Sequence, residues 1–159
     1  MTNMPDSFSE RLVQKHQPKW LAATTNRFIQ ELVEDSIDDA VYAHYLRIDY
    51  AFIEALTASV GHAVALAPGM PAKIRYASFL GVLTSEENDY FLRSFEAFGA
   101  PPPTFENPVS HPVLDAFTAL MLDQRAAGTY LDILAVLVPI EWVYLQWATM
   151  AMSHLWYSH

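Results

Sequence analysis

The stretch Tyr130–Ser153, YLDILAVLVPIEWVYLQWATMAMS, constrains the chain more than any other. It is apolar almost throughout, so a helix built from it has to be largely buried. At about 100° per residue, Asp132 and Gln146 share a polar edge and Glu141 lies about 180° from Asp132. Glu141 is therefore expected on the side of Leu134, Leu137, Val138, Tyr144, Leu145 and Ala148. A carboxylate on such a face is costly to desolvate unless a partner holds its charge, which makes it a functional-site candidate. The plainer alternative is a structural carboxylate bonded to a Tyr, Trp or His of a neighbouring helix. The stretch is long enough to span a bilayer, but Asp132, Pro139, Glu141 and Gln146 interrupt it, which favours a soluble protein.

Composition supports burial and removes several function classes. With 52% hydrophobic and 17% charged residues among 159, the chain is expected to form a single helical domain, residues 1–159, with a proper core. A net charge of −9 argues against nucleic acid and against anionic membranes as partners. The absence of Cys excludes a disulfide framework, a thiolate zinc site and a cysteine nucleophile. The first residues lack the basic-then-apolar build of a signal peptide, so a cytoplasmic location is expected.

Gly is scarce and no hairpin dipeptide occurs, so the fold class expected is all-α. Ser7 and Glu10 form a capping box for a helix to about Ala23, ended or kinked by Pro18 near Gln17. A short helix over Thr25–Glu34 follows, with Phe28, Leu32 and Ile29 inward. Ser36 reads as the next N-cap, opening a helix to about Leu66, roughly 45 Å long. Its expected inward stripe is Ile37, Val41, Tyr45, Ile48, Phe52, Ala55 and Ser59, with Arg47, Tyr50 and Glu54 outside. Asp49 then faces inward between Tyr45 and Phe52, a second carboxylate on an apolar face. After the Pro68–Pro71 turn, a helix over Pro71–Leu80 is expected, then one over Ser85–Phe98 capped by Thr84. Gly99 and the PPP loop separate it from a helix running from Pro112 to about Ala127, and the last helix begins near Thr129. The chain stops on bulky apolar residues with no stop signal, which is read as a missing C-terminal segment or a surface covered by a partner chain.

No metal or cofactor is expected. There is no Glu-x-x-His pair of the kind that builds bundle di-metal sites, and the six His are scattered. No Gly-rich phosphate loop and no G-x-S-x-G elbow are present.

The run Tyr42-Ala-His-Tyr45-Leu-Arg-Ile-Asp49, followed by Phe52, resembles the second long helix of the TenA (thiaminase-II-like) proteins, F-x-x-Y-L-x-Q-D followed by Tyr. Phe28-Ile-Gln-Glu-Leu32 resembles the family's preceding short helix. Leu134-Ala-Val-Leu-Val-Pro139-Ile-Glu141-Trp-Val-Tyr144 resembles its later helix, L-x-P-C-x-W-x-Y in the cysteine-bearing branch. The resemblance implies an all-α, haem-oxygenase-like helical bundle, a homo-oligomer (dimer or tetramer), that hydrolyses aminopyrimidines from thiamin breakdown. By position, Asp49 is similar to the carboxylate that binds the pyrimidine ring, and Tyr144 to the tyrosine beside the nucleophile. Phe52 stands where the cysteine branch has Tyr, and Ile48 where it has Gln. Ile140 occupies the nucleophile position, so a covalent cysteine mechanism is excluded. Ile140-Glu-Trp-Val-Tyr144 resembles the I-E-x-V-Y pattern of the branch that carries Glu instead.

The resulting expectation is a hydrolase of aminopyrimidine or formylaminopyrimidine compounds in thiamin pyrimidine salvage. Glu141, with Tyr144 one turn on, would be the acid/base, and Asp49 the substrate anchor flanked by Tyr45 and Phe52. A non-catalytic small-molecule binding protein on the same fold is the first alternative; a haem-oxygenase-like metal oxygenase is the second, disfavoured by the His spacing.

Overall fold

The computed structural model describes residues 7–157, with side chains at 124–127 and 153–157 left out of the description, and is all-α, with no strand among the described residues. The apolar chain end at 154–159, and with it the expectation of a further segment, falls outside the described side chains. The chain divides into two compact units, Met1–Ile37 with Pro139–His159, and Asp38–Val138.

In the first unit, α1 (Phe8–Lys15) opens on the expected capping box, with Ser7 Oγ accepting from the Glu10 N–H at 3.2 Å and the Glu10 carboxylate accepting from the Ser7 N–H. The helix ends ahead of Pro18, as expected. It breaks at His16, and α2 (Gln17–Thr24) begins with Pro18 in its first turn, where the missing N–H has no partner to lose. The third helix, α3 (Arg27–Val33), starts later than expected because Asn26 is its cap, accepting from the Ile29 N–H at 3.2 Å. Thr25 instead donates its hydroxyl back to the Leu21 carbonyl at 2.7 Å. Ile29 is buried, and Phe28 and Leu32 are half-buried.

The second unit is built on α4 (Asp39–Leu66). Its cap is Asp38, whose carboxylate accepts from the N–H groups of Ala40 and Val41, while the Ser36 hydroxyl points back to the Glu31 carbonyl. The buried residues of α4 are Leu46, Asp49, Phe52, Leu56, Ser59, Val60 and Ala63, so the expected stripe is largely displaced by one position. Val41 is exposed, and Tyr50, expected outside, is half-buried. The helix packs against several partners, which widens its buried face beyond a single stripe.

After the Pro68-Gly69 turn, α5 (Met70–Val82) packs on α4, and Lys73 Nζ donates to the Val64 and Ala65 carbonyls at 2.7 and 2.8 Å. Those carbonyls belong to the last turn of α4, where a cation is favoured. Thr84 does not cap a new helix. Its hydroxyl donates back to the Leu80 carbonyl at 2.9 Å, and the chain passes through a π-helical turn, Leu83–Glu87, straight into α6 (Asn88–Ala97). α6 ends on Gly99 at φ +60, with the Gly99 N–H on the Glu96 carbonyl and the Ala100 N–H on the Phe95 carbonyl. This is a Schellman stop, sealed by Ala100 packing on the Leu46–Phe91–Phe95 cluster.

α7 (Pro112–Ala127) begins with its proline at the first position and packs on α4. α8 (Tyr130–Tyr157) is opened by Thr129, whose N–H and hydroxyl both donate to Asp132 Oδ2, at 2.7 and 2.8 Å. These bonds hold the Asp132 carboxyl below the usual carboxylate range. Among the described side chains of α8 the buried ones are Ile133, Leu137 and Ile140, whereas Val138 and Leu145 are exposed. The expected burial face is thus corrected. The helix is apolar nearly all round, so periodicity gave no firm phase. By length and composition, Tyr130–Met152 is apolar enough to cross a membrane.

Candidate functional site

The site residues on α4 follow from helical spacing. Tyr45 and Asp49 are four apart, and the Tyr45 hydroxyl donates to Asp49 Oδ2 at 2.7 Å. Asp49 is only 9% exposed, so this bond supplies part of the compensation that a buried carboxylate requires. One turn before it, Tyr42 stacks on Tyr45 with ring centroids 5.9 Å apart. Tyr42 also shares a 2.6 Å hydrogen bond with the Tyr90 hydroxyl. Burial first, then the bond to Tyr90 and the charges of Tyr90 and Asp49, push the Tyr42 phenol well above its ordinary value.

The π turn and α6 pack against α4 beside these residues. Tyr50 donates to Asn88 Oδ1 at 2.9 Å and sets its ring against Phe91 and Phe95 at 5.3 and 5.5 Å. Glu87, half-buried on the π turn, has its carboxyl pushed up by burial and further by the negative charge of Asp49. One turn along α4 from Asp49, Phe52 is buried edge-on to Phe117 of α7, at 5.9 Å and 82°. Arg47 does not stand free on an outer face: its Nη2 donates to the Asn107 carbonyl at 3.3 Å, and its Nε is buried without a hydrogen-bond partner.

Tyr45, Asp49 and Phe52 are therefore brought together on one helix. Glu141 and Tyr144 belong to the other unit. Glu141 is half-buried immediately after the buried Ile140. Tyr144, three residues on, packs on Trp147 at 5.5 Å, and Trp142 meets Trp20 edge-on at 5.3 Å. Among the described residues, no group of three or more His, Asp or Glu gathers as a metal site.

Sequence reasoning missed Glu87, Tyr90 and Phe117. Glu87 falls within the helix expected over Ser85–Phe98, whereas the structure places it on the π turn. Chemically, a buried carboxylate with aromatic rings around it suits a flat heterocycle carrying amino or cationic nitrogen.

The chain is similar to known proteins in sequence and fold. The chain is 21% identical over 140 residues to an aminopyrimidine aminohydrolase of Halalkalibacterium halodurans, covering 88% of this chain and 62% of that protein. It thus spans about three-fifths of that relative's length. A crystal structure described as a TenA family transcription regulator, from Silicibacter sp. TM1040, superposes with a TM-score of 0.85 at 21% identity. It covers 97% of this chain and 68% of its own. The fold is therefore that of the TenA proteins. Residues 13–157 match the TENA/THI-4/PQQC family, and the chain belongs to that family.

Proposed function

We propose that the protein binds and hydrolyses an aminopyrimidine of the kind formed in thiamin breakdown, by a mechanism that uses no cysteine. The observation that carries the reading is Asp49, buried on α4 and held by the Tyr45 hydroxyl at 2.7 Å among aromatic rings. An anionic carboxylate so placed can accept from the exocyclic amino group and a ring N–H of an aminopyrimidine. Phe52 offers a ring for packing against the heterocycle. Family membership and the aminohydrolase relative support the same substrate class.

In this reading Glu141 is the acid/base that activates water, and Tyr144, one turn along α8, assists it. Ile140 has no nucleophilic atom, so attack on the ring carbon falls to water rather than to a side chain.

The buried Ile140 also favours a second reading, a binding protein on the same scaffold. Calorimetric titration with 4-amino-5-aminomethyl-2-methylpyrimidine separates the two when combined with a turnover assay. Binding lost in Asp49→Asn, with ammonia release lost in Glu141→Gln, supports the hydrolase. Binding without turnover in the unaltered protein leaves the binding function. No binding at all sinks both.

A further inference from the structure

Tyr42 and Tyr90 share a hydroxyl–hydroxyl bond that the proposed function does not use. It joins α4 to α6 at 2.6 Å, within the second unit. Two further rings bound Tyr42. Phe98, which closes α6, meets it edge-on with centroids 5.3 Å apart, and Tyr45 stacks on it at 5.9 Å and 29°. Tyr45 in turn carries the hydroxyl that donates to Asp49 Oδ2 at 2.7 Å. The contacts thus run in an unbroken series from Tyr90 through Tyr42 and Tyr45 to Asp49.

We propose that Tyr42, latched by Tyr90, is a positioning residue: it fixes the Tyr45 ring, and through the Tyr45 hydroxyl the Asp49 carboxylate, in the orientation that meets the ligand. The proposal rests on the aminopyrimidine reading and deepens it by naming what holds the anchor in place.

The physical argument concerns direction. Tyr42 and Tyr45 both pack against the Leu46–Phe91–Phe95 cluster. Packing of flat rings tolerates sliding and rotation, whereas a hydrogen bond is directional. The Tyr45 hydroxyl sits at the far end of its side chain, so a small rotation of the ring moves it most. A displacement of about 1 Å takes its bond to Asp49 out of hydrogen-bond range. Two stacked rings on one helix give each other no outside reference, since both are carried by α4. The bond to Tyr90 supplies that reference from α6.

Tyr90 is itself well set. Its ring packs on Phe91 at 5.4 Å, and its carbonyl accepts from Ser94 Oγ at 2.8 Å. The pattern that this run of α4 resembles has Phe at the position of Tyr42, so the latch rests on an oxygen that the pattern does not call for. A carboxylate already held in its bound orientation leaves less ordering to be done when the ligand arrives, which raises affinity.

The test is calorimetric titration with 4-amino-5-aminomethyl-2-methylpyrimidine, accompanied by thermal melts. It is run on the unaltered protein, Tyr42→Phe, Tyr90→Phe, Tyr45→Phe and the double variant Tyr42→Phe with Tyr45→Phe. Tyr76→Phe, which breaks the hydroxyl bond to Tyr130 in the same unit, is the control for lost stability alone. Tyr42→Phe and Tyr90→Phe keep every ring in place, and each is expected to weaken binding about twofold to tenfold, the worth of one hydrogen bond. On the Tyr45→Phe background, Tyr42→Phe is expected to add no further loss, because the route to Asp49 is already cut. Tyr76→Phe should leave affinity unchanged. Unchanged affinity in Tyr42→Phe, an equal loss in Tyr76→Phe, or a Tyr42→Phe loss that persists on the Tyr45→Phe background overturns the proposal alone. Failure of the unaltered protein to bind overturns the aminopyrimidine reading and this proposal with it.

Discussion

The Tyr50 hydroxyl donates to Asn88 Oδ1 at 2.9 Å, so the neighbour of Asp49 on one helix is tied to the neighbour of Glu87 on the next. The bond holds the π turn in register with α4. Tyr50→Phe keeps the ring against Phe91 and Phe95 and removes only the tie. It is expected to cost about 1 kcal/mol of stability, the usual worth of such a bond, measurable by urea denaturation.

Tyr45→Phe removes the donor at Asp49 without changing the stacked ring. A hydrogen bond to a charged group contributes roughly 1.5–3 kcal/mol, so aminopyrimidine affinity should fall about tenfold to a hundredfold. Calorimetry measures it. Unchanged affinity would mean that the Tyr45 hydroxyl does not prepare Asp49 for recognition.

Glu87→Gln should raise the melting temperature near neutral pH. The folded state holds the Glu87 carboxyl above its unfolded value, so the native protein binds more protons, and the associated stability is present at low pH and lost as pH rises. Glutamine has no proton to lose. The gap between variant and unaltered protein should therefore open above the ordinary carboxylate range and close below it, in thermal melts taken across pH.

Asp132→Asn should behave in the opposite sense. Thr129 holds the Asp132 carboxyl below its ordinary value, so that stabilisation is present above the unfolded pKa and lost as pH falls through the folded one. The variant should melt lower at neutral pH, and the difference should shrink on acidification.

Leu46→Ala tests the core of the second unit. Leu46 is fully buried against Phe91 and Phe95, so truncation should cost about 2–5 kcal/mol, visible as a lower denaturant midpoint.

The parts of the fold that were legible in sequence are those set by short-range chemistry. Ser7 with Glu10, Gly99, and Pro112 each act within one turn, and each ends or opens a helix as expected. Caps with competing neighbours were less legible. Ser36 and Asp38 are both good caps, and the choice fell to Asp38 because its carboxylate reaches two N–H groups. The face that α4 buries is set by the several elements packed on it, so Leu46, Leu56, Val60 and Ala63 were missed while Phe52, Ser59 and the inward Asp49 were not. The Tyr45–Asp49 pair was legible because four-residue spacing alone brings the two together. Glu87 and Phe117 were not, since each meets α4 through tertiary packing between segments distant in sequence.

The π turn at Leu83–Glu87 bears on how this chain tolerates changes in length. Deleting a residue elsewhere in α5 or α6 would rotate everything beyond it by about 100° and pull Phe91 and Phe95 off the core. A π turn already holds about one residue more than the same stretch of α-helix. Loss of one residue there would let the helix run on as α while Phe91 and Phe95 kept their facing. Single-residue gaps among family members are therefore expected to collect at this turn, making it an elastic joint in an otherwise length-intolerant helical run.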